Sequence, residues 1–247
     1  MTGAFQKANP ECDYVGGLDL AKTKDFTVTF IINCRTKNVD YIARWNKNSV
    51  SVSDRSFWQY SKAKIKAIDA KFGNVLWFTD ATGLGDPIVE DLQRDGLAIF
   101  CEKEKDHAGI KFTNMNKEQM VERGIVAIQE QMVTLPDPEQ CDTPEQRELL
   151  EVFYNELRVF RCELLPSRKV RYSAPEGEHD DTVWAFLLAL WGLMGEMYET
   201  YKEPEPVTPE KTFWNRVKRD QHRIREEQED EDSEHHVVDD GARMLEG

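Results

Sequence analysis

The sequence predicts an α/β fold with a mixed central sheet: a three-strand antiparallel meander, further parallel strands, flanking helices and a β-hairpin. Three observations predict it. Three strand-like runs follow one another across short turns. A long amphipathic segment then joins the third run to an uninterruptedly apolar one, as a crossover helix joins parallel strands. Near residue 190 a helical segment is apolar almost all round and so requires deep burial. The 247 residues suffice for one such domain with appendages. Hydrophobic residues make up 40% of the chain, with six Trp and twelve Phe, so a core can form without disulfide staples.

Residues 1–12 read as a flexible lead-in. Residues 14–20 are a short buried strand ending in a carboxylate, and 26–32 are apolar and β-branched. In 39–45, Val39, Tyr41, Ala43 and Trp45 alternate with Asp40, Ile42 and Arg44, the pattern of a half-exposed strand. A helix over 53–72 carries Phe57, Ile65, Ile68 and Phe72 on one face, and Gly73 suits its left-handed C-cap. Residues 75–78 form a strand covered on both sides. Asp86-Pro87 starts a helix that stops at Asp95-Gly96, and 97–100 are a further short strand. Asn116 is read as the cap of a helix to about Met132, with Gln119 in the capping-box position. Thr143-Pro144 starts another to about Phe160. Residues 159–165 and 170–174 form a hairpin around Pro166–Lys169, and the last helix of the body begins at Asp180 or Asp181 and runs to about Tyr201. Pro204, Pro206 and Pro209 then introduce an acidic tail over 203–247.

The order β-β-β-α-β-α-β, followed by helices and a hairpin, is the ribonuclease H-like pattern. A right-handed crossover places the fourth strand beside the first. That adjacency brings Asp19 and Asp80 together. Asp19 interrupts an apolar strand, Asp80 closes another, and Asp180-Asp181 open the most apolar helix. Buried carboxylates are costly unless paired or bound to metal. Hard divalent cations prefer such oxygen ligands, and two of them can drive in-line phosphoryl displacement. Each acid also has a plain structural reading. Asp19 and Asp80 suit strand-end turns, Asp180 taken alone is best read as an N-cap, and Asp181 is favourable in a first helical turn. His179 is ordinary in a loop.

The formal charge of −14 speaks against a nucleic-acid partner only if charge is evenly spread. The tail over 203–247 holds fourteen acids against seven bases, half of the net charge. Basic clusters remain at Lys22/Lys24, Lys62/Lys64/Lys66 and Arg168/Lys169/Arg171, and local charge governs phosphate contact. The five cysteines include no CxxC pair, which argues against zinc knuckles and thioredoxin chemistry. Neither a signal-peptide pattern at the N-terminus nor an apolar run long enough for a bilayer is present, so no membrane partner is expected.

The runs Gly17-Leu18-Asp19-Leu20-Ala21-Lys22 with Asp25-Phe26-Thr27, Thr79-Asp80-Ala81-Thr82-Gly83-Leu84-Gly85-Asp86-Pro87 and Gly177-Glu178-His179-Asp180-Asp181 resemble the three nuclease motifs of phage terminase large subunits. The resemblance covers roughly residues 13–195. It implies a nuclease domain that cuts concatemeric viral DNA during genome packaging in the host cytoplasm, leaving a 5′-phosphate. It implies catalysis by Asp19, Asp80 and Asp181 with two Mg2+ or Mn2+ ions on Asp19, Asp80, Asp180 and Asp181, supported by Asp25, Thr82 and His179. Asp181 is favoured over Asp180 because related resolvases place an acid directly before the buried helix. Lys22, Lys24, Arg168, Lys169 and Arg171 are the candidates for double-stranded DNA contact. The implied protein partners are the terminase ATPase motor, the portal and the small terminase subunit. This chain has no GxxxxGK[ST] phosphate loop, so no ATPase activity is expected of it. A transposase or Holliday-junction resolvase on the same fold is the competing reading. Such enzymes would be expected to lack the Asp-x-Thr-Gly-x-Gly element seen at residues 80–85.

Overall fold

The computed structural model describes residues 2–20, 25–50, 54–82, 85–101, 108–165 and 170–195. Lys22, Lys24, Gly83, Leu84, Arg168, Lys169 and the tail over 203–247 lie outside the described residues.

The central sheet contains β2 (Asp13–Asp19), β3 (Thr27–Asn33), β4 (Val39–Trp45) and β5 (Asn74–Thr79) in the order β4-β3-β2-β5. The first three form the expected antiparallel meander; β5 runs parallel to β2, with Leu18 opposite Thr79. Residues 97–101 extend the far edge. Ile99 bridges Trp77 in parallel, with Trp77 N–H donating to Ala98 and Phe100 N–H donating to Trp77. The segment 108–110 closes beside Asp80, where Ile110 forms a further parallel bridge.

After β4 come a single turn, α1 (Lys47–Val50), and the crossover helix α2 (Asp54–Phe72). Phe57, Ile65, Ile68 and Phe72 are all buried against the sheet, as their spacing predicts. Two indoles fix α2 in place: Trp45 Nε1 donates to Ser61 Oγ at 2.9 Å and Trp77 Nε1 to Asp69 Oδ1 at 2.8 Å. Gly73 takes φ +86°, the left-handed cap expected of it. Helix α3 (Gly85–Arg94) starts one residue before Asp86, so that residue belongs to the first turn. Lys62 and Lys66 of α2 pair with Asp91 and Asp95, and Lys64 lies over the Trp45 ring. This basic cluster therefore joins α2 to the neighbouring helix and the sheet.

The opposite face of the sheet is covered by α6 (Asp181–Met194), with α4 (Asn114–Gln129) and α5 (Pro144–Val159) against it. Helix α6 packs so closely on β2 that a Cβ on Gly17 would stand 1.9 Å from the Ala185 carbonyl oxygen. Phe30, Phe153 and Phe186 fill the space between β3, α5 and α6. This second layer corrects the reading of β4 as half-exposed: Asp40 is buried, and Arg44 is held by Glu156 of α5.

Three further expectations are revised. Thr113, not Asn116, caps α4; Asn116 occupies the third position of that capping box, where Gln119 was not needed. Residues 2–12, read as a flexible lead-in, are tied down. Here β1 (Thr2–Gly3) pairs in parallel with β6 (Leu135–Pro136), Asn38 Nδ2 donates to Ala4, and Asn9 N–H donates to the Tyr14 hydroxyl. Helix α6 ends at Met194, where Gly195 turns to extended backbone at φ −72° and ψ 173°, so it stops short of the predicted Tyr201; residues 196–201 lie outside the described residues. The hairpin β7 (Arg161–Leu164) and β8 (Val170–Ser173) forms as predicted, and Thr143 caps α5.

Candidate active site

Side chains alternate along a strand, so Asp19 shares the β2 face of Gly17, the face on which α6 lies. The parallel register places Asp80 directly after Thr79, level with Asp19 on the adjacent strand. Helix α6 opens with Asp181 at the same end of the sheet. Asp19, Asp25, Asp80, Asp180 and Asp181 therefore line one open cleft of about 490 Å³. Lys117 at the start of α4 and Arg171, Tyr172 and Ser173 of β8 line the same cleft.

Each acid is held differently. The Asp80 carboxylate accepts from Thr82 N–H at 2.8 Å and from the Thr82 hydroxyl, whose oxygen in turn accepts from Phe112 N–H at 2.9 Å. Asp181 accepts from Phe26 N–H at 3.4 Å, and His179 Nδ1 stands 3.6 Å from the same oxygen. Asp180 occupies the N-cap position of α6, but its carboxylate does not cap the helix. It accepts instead from Ala174 N–H at 3.0 Å, which ties the hairpin strand β8 to the helix start. The capping reading favoured for Asp180 alone is thus corrected. The α6 N-terminus is satisfied from elsewhere: Glu156 accepts from Thr182 N–H at 2.9 Å and from the Thr182 hydroxyl.

The local field is strongly negative. Burial pushes the Asp19 carboxyl well above the usual carboxylate range; Asp181, Asp80 and Asp180 push it the same way, and the Lys117 ammonium opposes them. Burial also pushes Asp181 up to about 6, with Glu156 and Asp25 adding to the rise and the Phe26 N–H and His179 opposing it. A cation near these oxygens would relieve both strains. As they stand, no three His, Cys, Asp or Glu side chains among the described residues meet at one ion-sized point. The carboxylates ring the cleft, and their fit to a metal rests on donor chemistry and placement.

Of the DNA-contact candidates, Arg171 is described: it is exposed at the cleft lip, opposite Glu163 in the hairpin register. Three participants were missed by sequence reading. Glu156 sits in the last turn of an acidic helix and looks solvated, Arg44 alternates as if outward, and Lys117 follows a cap motif assigned to the wrong residue. The signal at Arg44 was the strand run itself, which a second covering layer would make buried on both faces.

No family model matches the chain. Among curated proteins it is similar to the terminase large subunits of Thermus phage G20c and Thermus virus P23-45. Each is 24% identical over 180 residues, 73% of this chain but 32% of the relative's length. The chain thus spans about a third of the curated relatives it matches. Among solved structures it resembles the large terminase nuclease of phage G20c with bound magnesium (TM-score 0.59, 22% identity, 75% of this chain and 84% of that one). It also resembles the large terminase nuclease domain of Thermus phage P74-26 (TM-score 0.58, 20% identity, 78% and 86%) and the HK97 large terminase (TM-score 0.51, 11% identity, 76% and 40%). The fold is the ribonuclease H-like fold of those nuclease domains, and the resemblance to terminase large subunits appears in both sequence and structure.

Proposed function

We propose that this chain is a divalent-metal-dependent DNA endonuclease, the nuclease part of a phage terminase large subunit, which cuts double-stranded viral concatemers during packaging. The observation that carries the reading is the meeting of Asp19, Asp80 and Asp181 in one cleft from two adjacent strand ends and the start of the most buried helix. The relatives support it: similar nuclease domains have been solved with bound magnesium, cobalt and zinc.

Asp19, Asp80 and Asp181 would hold the metal, with Asp180 as a further ligand. Bound there, Mg2+ or Mn2+, two ions in this reading, makes a water more acidic and stabilises charge on the leaving oxygen. The chain's own residues set the geometry. Thr82 fixes the Asp80 carboxylate, the Phe26 N–H and His179 hold Asp181, and Asp25 adds negative charge near it. Ala174 N–H keeps Asp180 turned toward the hairpin, whose Arg171 faces the DNA backbone in this reading. In the overall reaction a water oxygen bonds to phosphorus and the P–O3′ bond breaks. One water proton ends on the 3′-oxygen and the other is released, leaving a 5′-phosphate and a 3′-hydroxyl.

The wider partners follow from the same reading: the ATPase motor, the portal and the small terminase subunit, in the host cytoplasm. Among the described residues no helix is long and apolar enough to cross a membrane.

The test is supercoiled plasmid incubated with the chain in Mg2+, Mn2+ or EDTA, beside Asp19→Ala and Asp181→Ala. Metal-dependent nicking and linearisation, lost in both folded variants, is expected. Cleavage that persists in EDTA or in both variants would overturn the assignment.

A further inference from the structure

Among the described residues that line the cleft, only Lys117 and Arg171 carry positive charge, against five aspartates. Arg171 stands on an exposed hairpin strand. Lys117 is built in more firmly. It lies in the first turn of α4, and its main-chain N–H donates to the carbonyl of the capping Thr113. Its ammonium lies 4.5 Å from the Trp184 ring centre and 4.8 Å from that of Phe112. A lysine free to enter water has no need of two rings. Contact with both rings favours this placement of the ammonium.

Those rings belong to the acids' own supports. Phe112 N–H donates to Thr82 Oγ1, and that hydroxyl donates to Asp80. Trp184 lies on α6 three residues after Asp181, and Trp184 N–H donates to the Asp180 carbonyl. Lys117 is therefore registered against Asp80 through one ring and against Asp181 through the other. Of the carboxylates, Asp19 feels its charge directly.

We propose that Lys117 is a catalytic residue of this cleft: a preplaced monovalent cation that binds a non-bridging oxygen of the scissile phosphate among the aspartates. This rests on the nuclease reading above. A phosphate between five carboxylates needs positive charge on its open side. Negative charge accumulates on the transferring group and its leaving oxygen as the reaction proceeds, so a preplaced ammonium favours the transition state over the ground state. Lys117 exchanges no proton in this role. The same charge repels a divalent cation approaching Asp19. Removing it should therefore have opposite effects on two measurements.

The experiment compares the full chain with Lys117→Met, Lys117→Arg and Asp19→Asn. Mn2+ binding without DNA is read by electron paramagnetic resonance or calorimetry, and plasmid cleavage is resolved into kcat and KM. Lys117→Met, which keeps the apolar stem over the rings, is expected to bind Mn2+ roughly threefold to tenfold tighter, yet lose on the order of 100-fold in kcat with little change in KM. Lys117→Arg should recover part of the rate. Unchanged Mn2+ affinity in Lys117→Met would overturn the proposal, and so would a rise in KM alone, which would mark a lysine that only tracks the DNA backbone. Asp19→Asn separates the two levels. Mn2+ binding unaffected in Asp19→Asn refutes the metal site itself, whereas binding lost there but unaltered in Lys117→Met refutes Lys117 alone.

Discussion

Replacing Glu156 with alanine should cost this fold more than any change at the cleft surface. Glu156 is 6% exposed and joins three elements. One oxygen accepts from Arg44 Nη2 of β4 at 3.2 Å, and the other takes the N–H and hydroxyl of Thr182 at the start of α6. The Arg44 side chain is 15% exposed, and its guanidinium carbon lies over the Phe26 ring, 3.3 Å from the ring centre. Alanine leaves that guanidinium uncompensated, which costs about 3–5 kcal/mol when a buried pair loses one partner. The Phe26 ring and the nearby Asp181 charge retain some of the favourable field, so the lower end applies. Loss of the Thr182 acceptor adds about 1 kcal/mol. A total of about 4 kcal/mol corresponds to a fall in Tm of roughly 8–16 °C for a domain of this size. Glu156→Gln keeps an acceptor for Thr182 and gives up the ion pair, so about half that fall is expected. Thermal melts followed by circular dichroism, with urea midpoints alongside, read both. If Glu156→Ala melts within about 2 °C of the parent, Glu156 does not anchor α6 and the account of the helix start is refuted.

Folding stability should decline as pH rises from about 4 to about 6. The folded Asp181 carboxyl, raised to about 6 from an ordinary 3.8, still holds a proton there that the unfolded chain has released. The ionised group costs on the order of 2–3 kcal/mol above that window. Asp181→Asn should therefore raise Tm at pH 7 and flatten the decline, and a metal-free pH series showing equal slopes in both proteins would exclude this origin. Gly17→Ala should be destabilising by about 3 kcal/mol or more, because its Cβ would lie 1.9 Å from the Ala185 oxygen and 2.5 Å from the Ala189 nitrogen, both backbone atoms that cannot rotate away. A Gly17→Ala protein with parental Tm would mean that α6 does not pack on β2 as closely as described.

Much of the fold was legible because its signals are local. The apolar runs at 14–20, 26–32, 39–45 and 75–78 carry their own strand period, Gly73 its own cap, and Thr143-Pro144 its own helix start. Handedness alone then put β5 beside β2 and Asp80 level with Asp19. The capping signal near 116 failed because Thr113 and Asn116 are both good cap residues three positions apart, and only backbone geometry tells the cap from its reciprocal partner.

The sequence by itself determined the strand order, the crossover and the candidate acids, since each depends on patterning within a few turns of chain. Tertiary structure alone decided what surrounds those acids. Arg44 meets Glu156 across 112 residues, and Phe26 meets Asp181 across 155. Lys117 joins the cleft because α4 docks on α6 and sets it over Trp184. Such pairings leave no periodic trace in the chain. A carboxylate in the last turn of an acidic helix and a lysine after a cap look solvated in sequence, and burial, which gives their charges long reach, is a property of the folded layers alone.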